Sequence, residues 1–186
     1  MKEPRHSDEE DIIRRCLAGE RDAYAELVDR YRSMAYTVSH RMVGDADTAN
    51  DLAQEGFIAA YRNLRDFRFG SRFSTWLCSI VVNKCRDHLR AKRDSVPVEE
   101  VPDLCAASAA DPERSASASE IGALLQRALD RLPREYREVV VLKHIEGREY
   151  GEIAEILGIR VGALKVRAHR GREMLKDILV RAGVLP

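Results

Sequence analysis

No stretch of this chain is apolar enough to cross a bilayer: runs such as Ile80–Val82 and Val139–Leu142 fall far short of the roughly 20 residues that a spanning helix needs. No membrane insertion is expected. The start, Met1-Lys2-Glu3-Pro4-Arg5-His6, has neither an apolar core nor a small-residue cleavage site, so it does not read as a signal peptide and predicts a cytoplasmic protein. Aromatic residues make up only 6% of the 186, and six prolines and eleven glycines are too few for a collagen-like or Gly/Pro-rich disordered chain. There is no Gly-rich phosphate loop, no clustered His/Cys ligand set and no nucleophile motif among the five histidines and scattered carboxylates. The chain is therefore not expected to be an enzyme, and no cofactor, metal or catalytic residue is implied.

Cysteine is scarce as well. Cys16, Cys78, Cys85 and Cys105 are an even number, but a helix would set Cys78 and Cys85 about 10.5 Å apart along its axis, too far for a bridge. His88 follows Cys85 at helical spacing without a second ligand pair nearby. Small buried thiols in a reducing compartment are the expectation.

What the chain does have is charge and helical pattern. Hydrophobic residues are 45% and charged residues 33%, a balance that suits helices and leaves room for one or two small domains. The net charge is zero, yet the charges are segregated. Residues 1–93 carry 17 basic and 15 acidic groups, residues 94–120 carry 1 and 7, and residues 121–186 carry 13 and 9. The middle stretch also holds Pro97, Pro102, Pro112 and a run of Ala and Ser, with no helical apolar repeat. This predicts an all-α protein of two small helical domains, residues 1–93 and 120–186, joined by a flexible acidic linker over residues 94–119.

In the first lobe Ser7-Asp8-Glu9-Glu10 has the form of a capping box opening a short helix that Gly19 closes. Apolar positions from Tyr24 to Met42 recur at three and four, marking a second helix from Asp22 to about Val43 that Gly44 ends. A third helix, from about Asp47 to Leu64, buries Ala49, Leu52, Ala53, Gly56, Phe57 and Ala60. Its other side carries Asp47, Asp51, Gln54, Glu55 and Ile58 as one stripe. A loop from Arg65 to Phe73, rich in Arg and Phe, leads to a fourth helix from about Ser74 to Arg93.

That fourth helix has two unlike faces. Cys78, Val81, Val82, Cys85 and Leu89 fall together, and Trp76, Ser79, Asn83, Arg86 and Arg90 fall opposite them. From Arg62 to Arg93 there are nine basic groups and two acidic ones. An aromatic, an amide and cations beside a Phe-bearing loop suit a surface that stacks bases and tracks a phosphate backbone. Equally, the Phe residues and Trp76 could belong to the core while the arginines solvate a helix.

The second lobe opens with another capping box, Ser117-Ala118-Ser119-Glu120, and a helix burying Leu124, Leu125, Ala128, Leu129 and Leu132. Pro133 suits the first turn of the next helix, which runs through Ile145 to a stop at Gly147. Tyr150–Leu157, a turn at Gly158, and a longer helix from Val161 to about Leu179 form a helix-turn-helix pattern. In the last helix Leu164, Ala168, Gly171, Leu175 and Ile178 cluster inward, leaving Lys165, Val166, His169, Arg170, Arg172 and Lys176 outward. Such a face enters a DNA major groove, with its first residues at base edges and its cations on phosphates.

These segments resemble the bacterial extracytoplasmic-function sigma factors, small two-domain promoter-specificity subunits of RNA polymerase. Asp51-Leu52-Ala53-Gln54-Glu55-Gly56-Phe57 resembles their region-two helix, and Phe73-Ser74-Thr75-Trp76-Leu77 with Ile80-Val81-Val82-Asn83 their promoter-melting segment. Leu132–Arg137, Tyr150–Leu157 and Val161–Arg167 resemble region four. The resemblance implies that Asp47, Asp51, Gln54, Glu55 and Ile58 meet the clamp coiled coil of core RNA polymerase. It implies that Arg68, Phe69, Arg72, Phe73, Trp76, Ser79, Asn83, Arg86 and Arg90 hold the minus-10 strand around a flipped base. Lys165, Val166, Arg167, His169, Arg170 and Arg172 would face minus-35 DNA. It further implies an anti-sigma factor as a partner. Glu149, Gly151 and Val166 depart from the commoner pattern of the family. A stand-alone helix-turn-helix regulator is the alternative; it accounts for the second lobe only.

Overall fold

The computed structural model describes residues 6–94 and 118–184, and every regular element among them is helical. Of the expected linker, Asp94 belongs to the fourth helix and Ala118 and Ser119 to the fifth; residues 95–117, with Cys105 and the cap expected at Ser117, lie outside the described residues, as does the Ser7 side chain.

The first lobe contains α1 (His6–Leu17), α2 (Arg21–Val43), α3 (Ala46–Arg62) and α4 (Phe73–Asp94). Gly44 ends α2 in the left-handed region, φ +83°, where its N–H donates to the His40 carbonyl at 2.8 Å. Asp45 then caps α3, its carboxylate accepting from the Thr48 N–H at 2.8 Å. The helix starts one residue before the expected Asp47, because Asp45 and Asp47 are equally acidic in sequence and only the cap geometry separates them. It also stops before the expected Leu64. Asn63 donates its side-chain amide to the Ala59 carbonyl at 2.9 Å, and a single 3₁₀ turn, Leu64–Asp66, begins the Arg/Phe loop.

Phe73, Leu77, Val81 and Val82 of α4 pack against Leu27, Val38 and Met42 of α2 and Leu52 and Phe57 of α3. Cys78 and Cys85 are wholly buried, as expected of core thiols, and burial pushes them up to about 12 and about 11 respectively. Leu89, expected on this face, is only half-buried.

The second lobe contains α5 (Ala118–Asp130), α6 (Arg134–Val140) with a π turn at Val141–Ile145, α7 (Tyr150–Leu157) and α8 (Val161–Arg181). Pro133 stands one position earlier than expected, as the N-cap of α6 with an extended ψ of 141°. Its carbonyl accepts from the N–H groups of Tyr136 and Arg137 at 3.0 Å, and its own lack of an N–H is harmless there. Four successive apolar residues, Val139–Leu142, are all buried, which one amphipathic face cannot achieve. The segment is covered from two sides: Val139 and Leu142 join the core of the first lobe, and Val140 and Val141 join Leu129 and Leu132.

The lobes thus share one core, in which Ile153, Ile156, Leu157 and Leu164 continue the apolar cluster of α1–α4. Polar ties reinforce the seam. Arg137 donates across it to the Met42 carbonyl at 2.8 Å, and Arg41 to the Gln126 amide oxygen at 3.1 Å. Arg148, almost buried, reaches the Ser74 carbonyl at 3.3 Å. No helix among the described residues is long and apolar enough to cross a membrane.

Candidate nucleic-acid interface

On α3 the expected stripe is present: Asp47, Asp51, Gln54, Glu55 and Ile58 are all exposed while Ala49, Leu52, Ala53, Gly56, Phe57 and Ala60 are buried. Glu55 accepts from Lys84 of α4 at 2.9 Å, an exposed pair worth little to stability. Ile58 borders a groove of about 870 Å³ between α2 and α3, floored by Tyr24, Ala25, Val28 and Phe57. Tyr61 lines the same groove and is exposed; its spacing of three from Ile58 continues the exposed row by one turn.

The α4 face is only partly open. Asn83 and Arg90 are exposed, Ser79 and Arg86 are half-buried, and the Ser79 hydroxyl donates to the Trp76 carbonyl at 2.6 Å. Trp76 is half-buried, with ring centroids 5.4 Å from Phe67 and 5.7 Å from Phe73. The loop splits accordingly. Phe69, Arg68 and Arg72 are exposed, but Phe67 is buried and Phe73 has no exposure at all. Phe73 was expected to line a nucleic-acid surface; it lies instead in the core beneath the exposed α4 face, wedged against Tyr31, Phe67 and Trp76. The physical reason is position: Phe73 is the first residue of α4, and its side chain turns inward with Leu77 one turn on.

Arg86 is not a free cation. It forms a two-pronged pair with Glu138 of α6, Nε to Oε1 at 2.9 Å and Nη2 to Oε2 at 2.7 Å. That hydrogen bonding holds its pKa above the ordinary guanidinium value. Glu138 and Glu152, which reach across the seam, carried no local sequence signal: each reads as one more charge on an amphipathic helix.

In the helix-turn-helix, Gly158 takes φ +68° after α7, a conformation costly for side-chain-bearing residues. Glu149 precedes α7, and its backbone N–H donates to the Glu152 carboxylate at 3.1 Å, so the departure from the family pattern at Glu149 leaves α7 capped. Along α8 Leu164, Ala168 and Gly171 are buried, and Lys165, Val166, His169, Arg170, Arg172 and Lys176 are exposed. Arg167, expected with the DNA-facing group, is half-buried and 3.5 Å from Glu135. Leu175 and Ile178 are half-buried beside the Leu129–Val141 cluster. Among the described residues no group of His, Cys, Asp and Glu is arranged to hold a metal ion.

Comparison with known proteins places both lobes in one family. Residues 27–95 match the family Sigma-70 region 2, and residues 122–175 match Sigma-70, region 4. The chain is 38% identical over 176 residues to the ECF RNA polymerase sigma factor SigW of Bacillus subtilis, covering 90% of this chain and 94% of that one. It is 32% identical over 180 residues to the RNA polymerase sigma-H factor of Pseudomonas aeruginosa, covering 92% and 93%. In fold it is similar to CnrH, solved in complex with the cytosolic domain of CnrY, at a TM-score of 0.69 and 26% identity over 93% of this chain and 97% of that one. It is also similar in fold to RpoE of Bartonella quintana, solved with the anti-sigma factor NepR, at a TM-score of 0.67 and 22% identity over 84% and 96%.

Proposed function

Since the chain belongs to the extracytoplasmic-function sigma factors of RNA polymerase, we propose that its helix faces divide the work of promoter recognition. The first lobe, residues 1–93, binds core polymerase through the exposed α3 stripe of Asp47, Asp51, Gln54, Glu55 and Ile58. Its α4 face and loop, with Asn83, Trp76, Phe69, Arg68 and Arg72 foremost, receive the minus-10 strand. The second lobe, residues 120–186, lays α8 in the minus-35 major groove with Lys165, Val166, His169 and Arg170 leading. Residues 94–119 serve as the acidic linker. The protein acts in the cytoplasm, without catalysis of its own, and an anti-sigma factor holds it silent until a signal such as envelope stress releases it.

The observation that carries this reading is the coexistence in one chain of the exposed acid-and-amide stripe on α3 and the exposed cationic row on a helix that follows a glycine turn. A stand-alone regulator would need only the second. The test is transcription in vitro, with sigma-free core polymerase and fragmented genomic DNA of the source organism, read by sequencing the transcript 5′ ends. Initiation at a shared promoter sequence, dependent on both protein and core, is expected. Tight binding of the protein alone to an operator, with no core-dependent initiation, would overturn the reading.

A further inference from the structure

The exposed tip of the Arg/Phe loop is carried on a closed circuit of contacts that begins and ends on α1. Glu9 of α1 is buried and accepts from the Tyr31 hydroxyl. The Tyr31 ring centre lies 5.7 Å from that of Phe73, Phe73 lies 5.8 Å from Phe67, and Phe67 meets Phe69 edge-on at 5.4 Å. The circuit returns to α1 through Arg14, whose guanidinium stands 5.4 Å from the centre of the Phe69 ring. Ile12 and Ile13 seat the same helix in the core, so Arg14 reaches the ring from a fixed base.

Phe69 is the member of this circuit that projects. It is 42% exposed, whereas Phe67 and Phe73 are buried anchors on either side of it. Between those anchors Arg68, Phe69, Gly70 and Arg72 are exposed, and the Ser71 N–H donates to the Arg68 carbonyl at 3.3 Å to turn the chain. A ring on so short an arch loses rotamer freedom when a base stacks on it, and that loss weakens binding unless the ring is held beforehand. Arg14 is suited to hold it. Two carboxylates of α1, Glu10 at 3.0 Å and Asp11 at 3.3 Å, aim the guanidinium and offset its charge, which fits a ring better than a phosphate.

We propose that Arg14 is a positioning residue for promoter reading: it holds the Phe69 ring where a minus-10 base stacks, so that α1, which supplies no residue to the strand-facing set, tunes base selection through the loop. This rests on the strand-binding reading of the Arg/Phe loop.

The experiment uses holoenzyme assembled from core polymerase and full-length wild type, Arg14→Gln, Phe69→Ala, their double variant, or Arg32→Gln as an equal loss of charge on α2. Circular dichroism first confirms that each is folded. A pool of DNA single strands randomised over 12 nucleotides is selected on each holoenzyme and on core alone and sequenced. The strand most enriched by wild type is then titrated by anisotropy across a salt series. Wild type is expected to enrich a motif that core alone does not, and Phe69→Ala to weaken binding of the selected strand about fivefold or more. Arg14→Gln should weaken it about twofold to fivefold, the strength of an exposed cation–ring contact, with an unchanged salt slope and with preference lost at one position of the motif. In the double variant it should add nothing to Phe69→Ala, and Arg32→Gln should bind as wild type does. Wild-type binding and preference in Arg14→Gln, an equal loss in Arg32→Gln, or an additive loss in the double variant overturns the positioning role and leaves the loop reading standing. So does a salt slope shallower by about 0.7, the mark of a direct phosphate contact. Absence of a motif beyond core alone, or unchanged binding by Phe69→Ala, overturns the loop reading and the proposal with it.

Discussion

Gly56 of α3 faces Val81 of α4 so closely that a Cβ on the glycine would lie 2.7 Å from the valine Cγ2. This close approach sets how the two helices cross, and with it the angle between the acidic stripe of α3 and the outward face of α4. Gly56→Ala should therefore destabilise the protein by about 1 to 3 kcal/mol, the range for forcing extra volume into a packed core. Thermal and urea unfolding followed by circular dichroism would measure it. An unchanged midpoint would show that α3 and α4 can slide apart freely.

Reversing Asp51 and Glu55 to Lys should weaken association with core polymerase while leaving the fold intact. Both residues are exposed, so the change at Asp51 should cost no more than roughly 0.5 kcal/mol, and the change at Glu55 up to about 1 kcal/mol because it loses Lys84. Titration of a fluorescent derivative with core polymerase reads the affinity. Equal affinity of variant and wild type would remove the stripe from the interface.

Asn83 is exposed on α4 and its carboxamide oxygen lies 3.4 Å from the Arg86 guanidinium. Loss of a strand contact of ordinary hydrogen-bond strength, about 0.5 to 1.5 kcal/mol, should slow promoter opening by roughly threefold to tenfold in Asn83→Ala. Permanganate reactivity of minus-10 thymines on duplex and pre-melted templates would show it, with the pre-melted template recovering part of the loss. Because Trp76 is packed between Phe67 and Phe73, its replacement by Phe is the cleaner companion than Ala. Identical opening rates on both templates would leave Asn83 without a part in melting.

Lys165→Ala and Arg170→Ala on α8 should each reduce the steepness of the salt dependence of holoenzyme binding to promoter DNA by about 0.9, one phosphate contact apiece. Both side chains are exposed on the outward face and their loss should not disturb Leu164 or Ala168 beneath. Filter binding across a series of salt concentrations is sufficient. A slope identical to wild type would exclude these cations from the phosphate contacts.

His144, on the π turn, has its pKa lowered by partial burial and by the nearby charges of Arg172 and Lys143. Its folded form binds a proton less readily than its unfolded form, so the stability it contributes is present above pH about 6.5 and is lost as pH falls through the lower folded value. Glu146 works in the opposite direction. Burial raises its pKa, so its contribution is present below about 4.5 and is lost as pH rises through the folded value. The difference between wild type and His144→Gln therefore isolates the histidine: melting temperatures of the variant should fall less between pH 7 and pH 5. Parallel curves would contradict the shift.

Helices and their inward faces were legible in the sequence because they rest on local periodicity: the α3 stripe and the α8 outward row stand where spacing put them. The burial of Phe73 is not legible because an Arg/Phe loop and the start of a helix look alike in composition, and only packing against Tyr31 and Phe67 shows which way the ring turns. Arg86 was correctly placed on its face, but its engagement by Glu138 depends on a contact between residues 52 positions apart, to which no local period points. The relative placement of the lobes was illegible for the same reason. Val139–Leu142 held the one hint, a run too uniformly apolar for a helix with one wet side.

Arg137 ties α2 to the corner between α5 and α6 by donating hydrogen bonds to the main-chain oxygens of Met42, Asp130 and Leu132, with the Asp130 carboxylate a further 3.4 Å ion-pair partner. Every residue type presents the same carbonyl, so the receiving positions are free to drift without dissolving the tie, whereas the donor has no substitute with the same fork and reach. The tie between the lobes is thus inherited unequally. A chain with a different residue at each acceptor could keep it, and a chain with Lys in place of Arg137 could not.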